Sequence, residues 1–327
     1  MSGGEFDLIR NYFRDATAQR EDVVLGIGDD CALINVPAGK HLAVSMDTLV
    51  SGRHFIAEVD PVSLGHKALA VNLSDLAAMG AEPAWVTLSM TLPDADEVWQ
   101  QWLASFMQGF SALAACHQVQ LIGGDTTRGE LTITVQAHGF LDRGEGLRRN
   151  AARDGDQIYV SGTLGDAGLA LQMQQGRQIK VNDSAYLKHR LDQPTPRLAL
   201  GRDLLKYATA AIDVSDGLVA DLRHICTSSG VSAVVHVEKL PLSDAVSHYL
   251  NESGDWALPL AAGDDYELVF TVPLERQAAF EAVITQWDLR CTWIGSIEIS
   301  EPSSQVKVVL PDGKIIDEVS GYDHFNA

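Results

Sequence analysis

Segments with helix-like and strand-like patterns alternate along the whole of this 327-residue chain. Residues 61–79 place apolar side chains near one face of a predicted helix. A second long helix is predicted from Pro93, with Val98 and Phe106 facing inward. Residues 132–141 instead alternate apolar and polar side chains, as a half-buried strand does. This alternation favours an α/β or α+β fold over an all-helix or all-strand one.

The length of the chain favours two domains, because 327 residues exceed what one hydrophobic core comfortably fills. Residues 143–156 are rich in Arg, Gly and Asp and contain few apolar side chains, which is typical of a domain boundary. We therefore predict an N-terminal domain over residues 1–142 and a C-terminal α/β domain over residues 143–327.

The formal net charge of −20 argues against a nucleic-acid partner or an anionic membrane surface, since both select exposed Lys and Arg. A phosphate ligand would also be repelled unless divalent cations lay between it and the protein. The P-loop pattern G-x-x-x-x-G-K-[ST] does not occur, and Gly26-Ile27-Gly28 does not continue into a dinucleotide fingerprint. An ordinary P-loop kinase or Rossmann dehydrogenase is therefore not expected.

The cysteines and the first residues bear on the cellular compartment. The four cysteines are widely separated and never form a C-x-x-C pair. The first residues lack the basic and apolar regions of a signal peptide, and the sequence has no run of 18 apolar residues. These features predict a reducing, cytoplasmic location.

Aspartates recur beside Gly, Ser or Thr, mostly at predicted strand ends and in turns. They occur in Gly28-Asp29-Asp30, Asp47-Thr48, Ser74-Asp75, Gly123-Gly124-Asp125-Thr126, Asp213-Val214-Ser215-Asp216-Gly217 and Gly263-Asp264-Asp265-Tyr266-Glu267. Any one of them could be satisfied locally; Ser215 and Asp216, for example, could cap a helix predicted from Leu218. Asp75 is harder to explain in this way, because it lies in an apolar helix where an unpartnered carboxylate would be costly.

Carboxylate oxygens are ligands that Mg²⁺ prefers, and one ion typically takes one or two carboxylates together with water and substrate phosphate. Several aspartates from different strands could hold several Mg²⁺ ions, which would in turn hold a polyphosphate. Phosphoryl transfer requires mainly positioning and charge neutralisation. An acceptor that is itself a phosphate is already ionised and needs no general base, so the pattern favours a small-molecule kinase.

In their order and spacing, these segments resemble the bacterial thiamine-monophosphate kinases, a family of the aminoimidazole ribonucleotide synthetase superfamily. The resemblance covers nearly the whole chain, from Gly4-Glu5-Phe6 through Asn72-Leu73-Ser74-Asp75 to Gly321-Tyr322. It implies ATP- and Mg²⁺-dependent phosphorylation of thiamine monophosphate to thiamine diphosphate. It also implies a homodimer whose N-terminal mixed-sheet domains pair and bind ATP at the shared surface, with a C-terminal α/β domain that helps to close the site.

The resemblance implies a role for each matching residue. The implied metal ligands are Asp30, Ser45, Asp47, Asp75, Asp125, Asp213 and Asp216, of which Asp30, Asp75 and Asp213 are the expected catalytic residues. The implied ATP contacts are Gly124, Asp125, Arg149 and Ser215, and the implied contacts to thiamine monophosphate are His54, Asp264 and Tyr322. Arg149 can hold a phosphate through a forked pair of hydrogen bonds, and Tyr322 offers a flat face to a cationic thiazolium ring.

Two positions depart from the family pattern. Met46 stands where the family usually has a hydroxyl residue, so only its backbone carbonyl could bind a metal ion. Asp264 stands where Glu is common, which shortens the reach toward the substrate by one methylene group. Both departures bear on affinity and metal count more than on the type of reaction.

Two other functions compete with this interpretation. Selenophosphate synthetases and hydrogenase-maturation dehydratases, of the same superfamily, rely on a reactive Cys in a Gly-rich N-terminal segment or at the C-terminus, and this chain has neither. The other alternative is a non-catalytic acidic protein that binds Ca²⁺ or another partner through its carboxylates. An EF-hand loop for Ca²⁺ does not occur in the sequence, and carboxylates that serve only in binding need not recur beside Gly, Ser and Thr.

Overall fold

The computed structural model describes residues 4–181, 183–300, 304–316, 319 and 321–322. The chain divides into two compact units, Met1–Leu76 with Ala81–Glu145 and Ala77–Gly80 with Gly146–Ala327. Each unit contains helices and a sheet with both parallel and antiparallel strand pairs, so the predicted two-domain α/β fold is confirmed. The assignment of ATP binding and dimerisation to the N-terminal region stays a prediction. Within the described ranges, no helix has the length and apolar character needed to cross a membrane.

The first unit is built around one sheet. Its elements are α1 (Glu5–Leu8), a π-helical turn (Ile9–Phe13), β1 (Val23–Leu25), β2 (Leu33–Ile34), β3 (Lys40–Val50), most of α2 (Pro61–Met79), β4 (Glu82–Leu92), α3 (Glu97–Cys116), β5 (Gln120–Arg128) and β6 (Thr132–Asp142). The strand order is β3-β6-β4-β5, in which β4 and β5 are parallel and the other pairs are antiparallel. Strands β1 and β2 form a separate antiparallel pair.

Two glycines allow α2 and α3 to pack closely. A Cβ atom at Gly65 would lie 1.9 Å from the carbonyl oxygen of Phe106, and one at Gly109 would lie 1.8 Å from that of Val62. No real side chain tolerates such distances, so the helix backbones touch where these glycines lie. This contact fixes α2, the helix that carries Asp75.

Several predictions for the first unit need correction. Helix α3 begins at Glu97 rather than near Pro93, because Asp96 caps it by accepting a hydrogen bond from the backbone N–H of Trp99. Val98 is 70% exposed and does not face inward. Asp47 and Asp125 lie within β3 and β5, not after strands.

The second unit is built around a larger mixed sheet. Its elements are β7 (Gln157–Ser161), α4 (Asp166–Gln174), α5 (Ser184–Asp192), α6 (Leu198–Leu204), β8 (Ala210–Asp213), α7 (Leu218–Ser229), β9 (Ser232–His236), a 3-10 turn (Val237–Lys239), α8 (Asp244–Ser253), α9 (Ala257–Ala261), β10 (Leu268–Val272), α10 (Leu274–Ile284), β11 (Cys291–Glu298), β12 (Val306–Val309) and β13 (Ile315–Ile316). Over the described residues the strand order is β13-β12-β9-β11-β7-β10-β8. Only the β12–β9 pair among these is parallel.

Helix α7 follows β8 after a short turn at the edge of this sheet. Leu218, Leu222 and Ile225 form one apolar face of α7 and are buried in the core of the unit. The helix ends at Ser229 and is followed by Gly230, whose φ of 68° is the left-handed conformation typical of a residue after a helix. Residues 214–217 form the turn between β8 and α7.

Candidate active site

A groove in the first unit brings together three of the predicted residues. Its volume is about 730 Å³, and Asp30, Gly124 and Asp125 line it. Its lining also includes the apolar Phe6, from the first helical segment, and the cationic Arg14, directly after the π-helical turn. A groove of this size with a few polar groups is typical of a small-molecule site.

Two glycines shape the groove. Gly28 has a φ of 132°, and a Cβ atom there would lie 2.9 Å from Nη2 of Arg14. Gly124 has a φ of 154°, and a Cβ atom there would lie 1.8 Å from the carbonyl oxygen of Leu88 in β4. Only glycine fits such a close approach of two backbones, which explains its presence before Asp125.

A second group of predicted residues meets between β3 and α2, in the first unit. The Ser45 hydroxyl donates a hydrogen bond to the Asp75 carboxylate. The backbone N–H of Asp47 donates to Oδ1 of the buried Asn72 over 3.1 Å. Ser45, Asp47 and Asp75 are all half-buried. Asp75 therefore has a hydrogen-bond partner within the fold, and its partial burial alone does not require a cation.

The oxygen donors of this group fit a Mg²⁺ ion by their chemistry. Two carboxylates and a hydroxyl are hard ligands of the kind that Mg²⁺ selects. Among the residues that the structure describes, no group of three or more His, Cys, Asp or Glu could hold a metal ion. An ion bound by one or two carboxylates, water and phosphate does not need such a group.

Two other residues named in the sequence, Met46 and His54, lie in and directly after β3. Met46 is 60% exposed on the face of the strand opposite to Ser45 and Asp47, because successive side chains alternate. His54 lies in the turn after β3, where its Nδ1 accepts a hydrogen bond from the backbone N–H of Val50 over 3.0 Å. This bond places the proton of a neutral His54 ring on Nε2.

In the second unit, the turn after β8 brings four predicted residues together. The carbonyl oxygen of Ser215 accepts a hydrogen bond from the backbone N–H of Asp264 over 2.9 Å. The carbonyl oxygen of Asp216 accepts one from the N–H of Tyr322 over 3.0 Å. Asp213, the last residue of β8, precedes this turn and is 4% exposed. Ser215 and Asp216, the implied ATP contact and metal ligand, thus accept backbone hydrogen bonds from two residues. These are Asp264 and Tyr322, the implied contacts to thiamine monophosphate.

The segment that contains Asp264 is unusual in its backbone and its anchoring. Asp264 and Tyr266 have φ values of 68° and 48°, a region that costs energy for residues other than glycine. Directly after them, the fully buried Glu267 carboxylate accepts hydrogen bonds from Nη2 of Arg190 at 2.9 Å and Nε of Arg197 at 2.7 Å. These charge-assisted bonds hold the strained segment in place.

Two carboxyl groups near this turn have raised pKa values. Burial, reinforced by the negative charge of Asp213, raises the pKa of Asp221 to about 8. Burial also raises the pKa of Asp265 well above its ordinary range, although the backbone N–H of Gly165 and the charge of Arg190 oppose the shift. Both groups hold a proton more readily than an exposed aspartate.

The contacts of Arg149 place it apart from Ser215. Its carbonyl oxygen accepts a hydrogen bond from the Ser229 hydroxyl over 2.8 Å. Ser229 is the last residue of α7, whereas Ser215 precedes the first turn of that helix. Since α7 has 12 residues and rises about 1.5 Å per residue, the two predicted ATP contacts lie at opposite ends of it.

Three residues of these sites were not predicted from the sequence. Arg10 and Arg14 line the groove, but no motif distinguishes them from other surface arginines. Asp221 is buried on the apolar face of α7 with Leu218 and Leu222. A carboxylate among apolar positions at helical spacing can be recognised in the sequence, so Asp221 could have been predicted. The suggested capping of α7 by Ser215 or Asp216 is wrong, because Gly217 is the N-cap and no side chain caps the helix there.

The chain matches two domain models of known proteins. Residues 28–141 match the N-terminal domain of the AIR synthase related proteins, and residues 153–307 match their C-terminal domain. The fold and the two matched domains are therefore those of an AIR synthase related protein.

Three similar proteins identify the family within this class. The thiamine-monophosphate kinase of Salmonella typhimurium is 46% identical over 327 residues, covering 99% of both chains. A crystal structure of thiamine-monophosphate kinase from Stenotrophomonas maltophilia has a TM-score of 0.85 at 46% identity, covering 97% of this chain and 99% of that one. AaThiL complexed with AMPPCP and TMP has a TM-score of 0.76 at 34% identity, covering 89% of each chain. The chain belongs to the thiamine-monophosphate kinase family, which confirms the resemblance seen in the sequence.

Proposed function

We propose that this protein is a kinase that transfers the terminal phosphate of ATP to thiamine monophosphate. A phosphate oxygen of thiamine monophosphate forms a bond to the γ-phosphorus, the bond from that phosphorus to the β–γ bridging oxygen breaks, and ADP leaves. The observation that carries the proposal is the groove where Asp30, Gly124 and Asp125 lie together. The relative complexed with AMPPCP, a non-hydrolysable ATP analogue, and TMP supports it.

Residues of the first unit would bind the nucleotide and its cations. Asp30, Asp47, Asp75 and Asp125, with Ser45, supply oxygen ligands suited to Mg²⁺. When bound, Mg²⁺ would neutralise charge on the transferring phosphate. The backbone beside Gly124 can approach a phosphate closely, since no side chain intervenes.

Residues of the second unit would contribute further ligands and orient the acceptor. Asp213 and Asp216 are the proposed metal ligands there, and Ser215 the proposed ATP contact. Asp264 and Tyr322, bonded to the same turn, are proposed to contact thiamine monophosphate together with His54. Arg149 is proposed as an ATP contact on the strength of the resemblance alone. No general base is assigned, because the acceptor phosphate is already ionised.

The same proposal includes a cytoplasmic homodimer that binds neither nucleic acid nor membranes. Leu42, Val44 and Met46 are 38%, 53% and 60% exposed on one face of β3, the edge strand of its sheet. An exposed apolar row on an edge strand favours pairing with a second copy. All four cysteines are free thiols, which suits a reducing compartment. The net charge of −20 opposes binding to polyanions.

The proposal is tested by incubating purified protein with ATP, Mg²⁺ and thiamine monophosphate and separating the products by chromatography. The Asp75→Asn variant removes one proposed metal ligand, and Asp142→Asn changes an exposed aspartate at the end of β6. We expect thiamine diphosphate from the wild type and from Asp142→Asn. We expect at least about a hundredfold lower rate from Asp75→Asn, since losing several kcal/mol of transition-state stabilisation costs tenfold per 1.4 kcal/mol.

Two results would count against the proposal. Folded protein that binds the nucleotide and makes no thiamine diphosphate would refute the acceptor. An Asp75→Asn variant as fast as the wild type would refute the role given to that carboxylate.

A further inference from the structure

A buried carboxylate with no role in the proposed reaction holds the turn between β8 and α7. Asp221 lies in the first turn of α7 and is 2% exposed. Its Oδ2 accepts hydrogen bonds from the backbone N–H groups of Ser215 and Asp216, each over 3.0 Å. One oxygen atom therefore binds two successive peptide groups of this turn.

The sequence of the turn explains why it needs an external acceptor. Gly217 is the N-cap of α7 and contributes no side-chain acceptor to the turn. No side chain could be added, because Gly217 has a φ of 113° and a Cβ atom there would lie 2.7 Å from the carbonyl group of Ala261. The acceptor is instead Asp221, four residues further along the chain.

The peptide group that joins Ser215 to Asp216 is held from both sides. Its N–H donates to Asp221, and its carbonyl oxygen accepts from the N–H of Asp264. In a trans peptide these two groups point in opposite directions, so the two bonds fix the plane of the peptide. The next carbonyl, that of Asp216, accepts from the N–H of Tyr322.

We propose that Asp221 is a positioning residue that sets the geometry of the second unit's nucleotide and metal residues relative to its acceptor residues. This inference rests on the proposed function and deepens it. Asp221 contacts no ligand in this account. It acts through the Ser215–Asp216 peptide, to which Asp264 and Tyr322 are bonded. Losing its acceptor oxygen frees that peptide to rotate, which shifts both sets of groups together.

Steady-state kinetics of three variants test this role. Asp221→Ala removes the acceptor, and we expect the KM values for ATP and for thiamine monophosphate both to rise at least tenfold, with kcat reduced. Asp221→Asn keeps an acceptor oxygen that can take the place of Oδ2, so we expect both KM values to stay within about threefold of the wild type. Asp156→Ala is the matched control in the same unit.

Asp156 is buried to the same degree as Asp221 and also accepts hydrogen bonds locally. It is 2% exposed and binds the N–H of Arg153 and the hydroxyl of Thr209. We expect Asp156→Ala to lower the melting temperature as Asp221→Ala does while leaving both KM values unchanged. Equal increases of KM in the two alanine variants would overturn the proposal, because general destabilisation would then explain the effect.

A further variant covers the case in which Asp221→Ala does not fold. Asp221→Glu keeps the charge but moves the carboxylate by one methylene group, so we expect both KM values to rise at least tenfold while Asp221→Asn remains active. Wild-type kinetics in Asp221→Glu, or an equal loss in both variants, would overturn the positioning role. A wild-type protein that makes no thiamine diphosphate would instead refute the proposed function, so the two failures are distinguishable.

Discussion

The two units hold their carboxylates in different ways. In the first unit, Asp30 and Asp125 are exposed at the groove. In the second unit, Asp213, Asp221 and Asp265 are 4%, 2% and 1% exposed. Exposed carboxylates keep their hydration until a cation replaces it, whereas buried ones must be satisfied within the fold. Substitutions of these two groove carboxylates should therefore change ligand binding, and substitutions of the three buried carboxylates should change stability as well.

The largest effect on the free energy of unfolding is expected from Glu267→Gln, which removes the buried charge that holds the segment containing Asp264. Arg190 and Arg197 would lose the charge that both of them bind. Removing one partner of a buried ion pair typically costs about 3–5 kcal/mol, because an uncompensated charge remains. Chemical denaturation should show a decrease of this size in the free energy of unfolding.

Glu275→Gln is the matched control for this experiment. Glu275 lies on the exposed surface of α10, in the same unit. Its substitution should change the free energy of unfolding by about 0.5 kcal/mol or less. Equal small effects in the two variants would mean that the buried ion pairs do not anchor the strained segment.

A smaller effect, confined to the first unit, is expected from Gly124→Ala. The new Cβ atom would collide with the carbonyl oxygen of Leu88, and the φ of 154° is unfavourable for alanine. We expect a loss of about 1–3 kcal/mol in unfolding free energy and weaker binding of a Mg²⁺–nucleotide complex, measured by calorimetry.

The neighbouring glycine provides the control. Outside its chain neighbours, a Cβ atom at Gly123 would have its nearest contact at 3.9 Å, with Cγ2 of Thr87, which is an ordinary van der Waals distance. Gly123→Ala should therefore affect nucleotide binding and stability much less. Comparable losses in both variants would contradict the steric explanation of the groove.

Per unit of pH, the smallest effect is expected in the pH dependence of the free energy of unfolding. Because the folded pKa of Asp265 is raised, the folded state keeps this proton while the unfolded chain loses it near its ordinary pKa. The contribution of Asp265 to the free energy of unfolding therefore falls as pH rises above about 4. It falls by at most about 1.4 kcal/mol per pH unit, until the folded pKa is reached.

Asp265→Asn should remove this slope, whereas Asp312→Asn, at an exposed turn, should keep it. The measurement is the free energy of unfolding of each variant between pH 4 and pH 8. Parallel curves for the wild type and Asp265→Asn would show that the buried carboxyl is ionised in the folded protein.

Local patterns in the sequence predicted the elements that carry the site. Helix α2, Pro61–Met79, has the predicted bounds, because a proline begins it and its apolar positions repeat at helical spacing. Strand β4, Glu82–Leu92, was missed. Residues 86–92 alternate apolar and polar side chains, and the apolar ones are buried while the polar ones are half-buried, so the sequence does contain the signal of a strand there.

The candidate site was predictable where a residue type and its neighbours carry the signal, and not where tertiary contacts create it. Gly124 and Asp125 stand out in the sequence, but Arg10 and Arg14 come to line the same groove only through the fold. Asp221 could have been found by the reasoning applied to Asp75, a carboxylate on an apolar helix face. The anchoring of Glu267 by Arg190 could not, since 77 residues separate them.

The most direct test of the proposed reaction follows the phosphorus atom that is transferred. Wild-type protein is incubated with Mg²⁺, thiamine monophosphate and ATP labelled with ³²P at the γ-phosphate, and the products are separated. Direct phosphoryl transfer predicts that the label appears in thiamine diphosphate and that unlabelled ADP forms in equal amount. Release of the label as inorganic phosphate, or formation of AMP with a diphosphate unit added to the acceptor, would contradict the account.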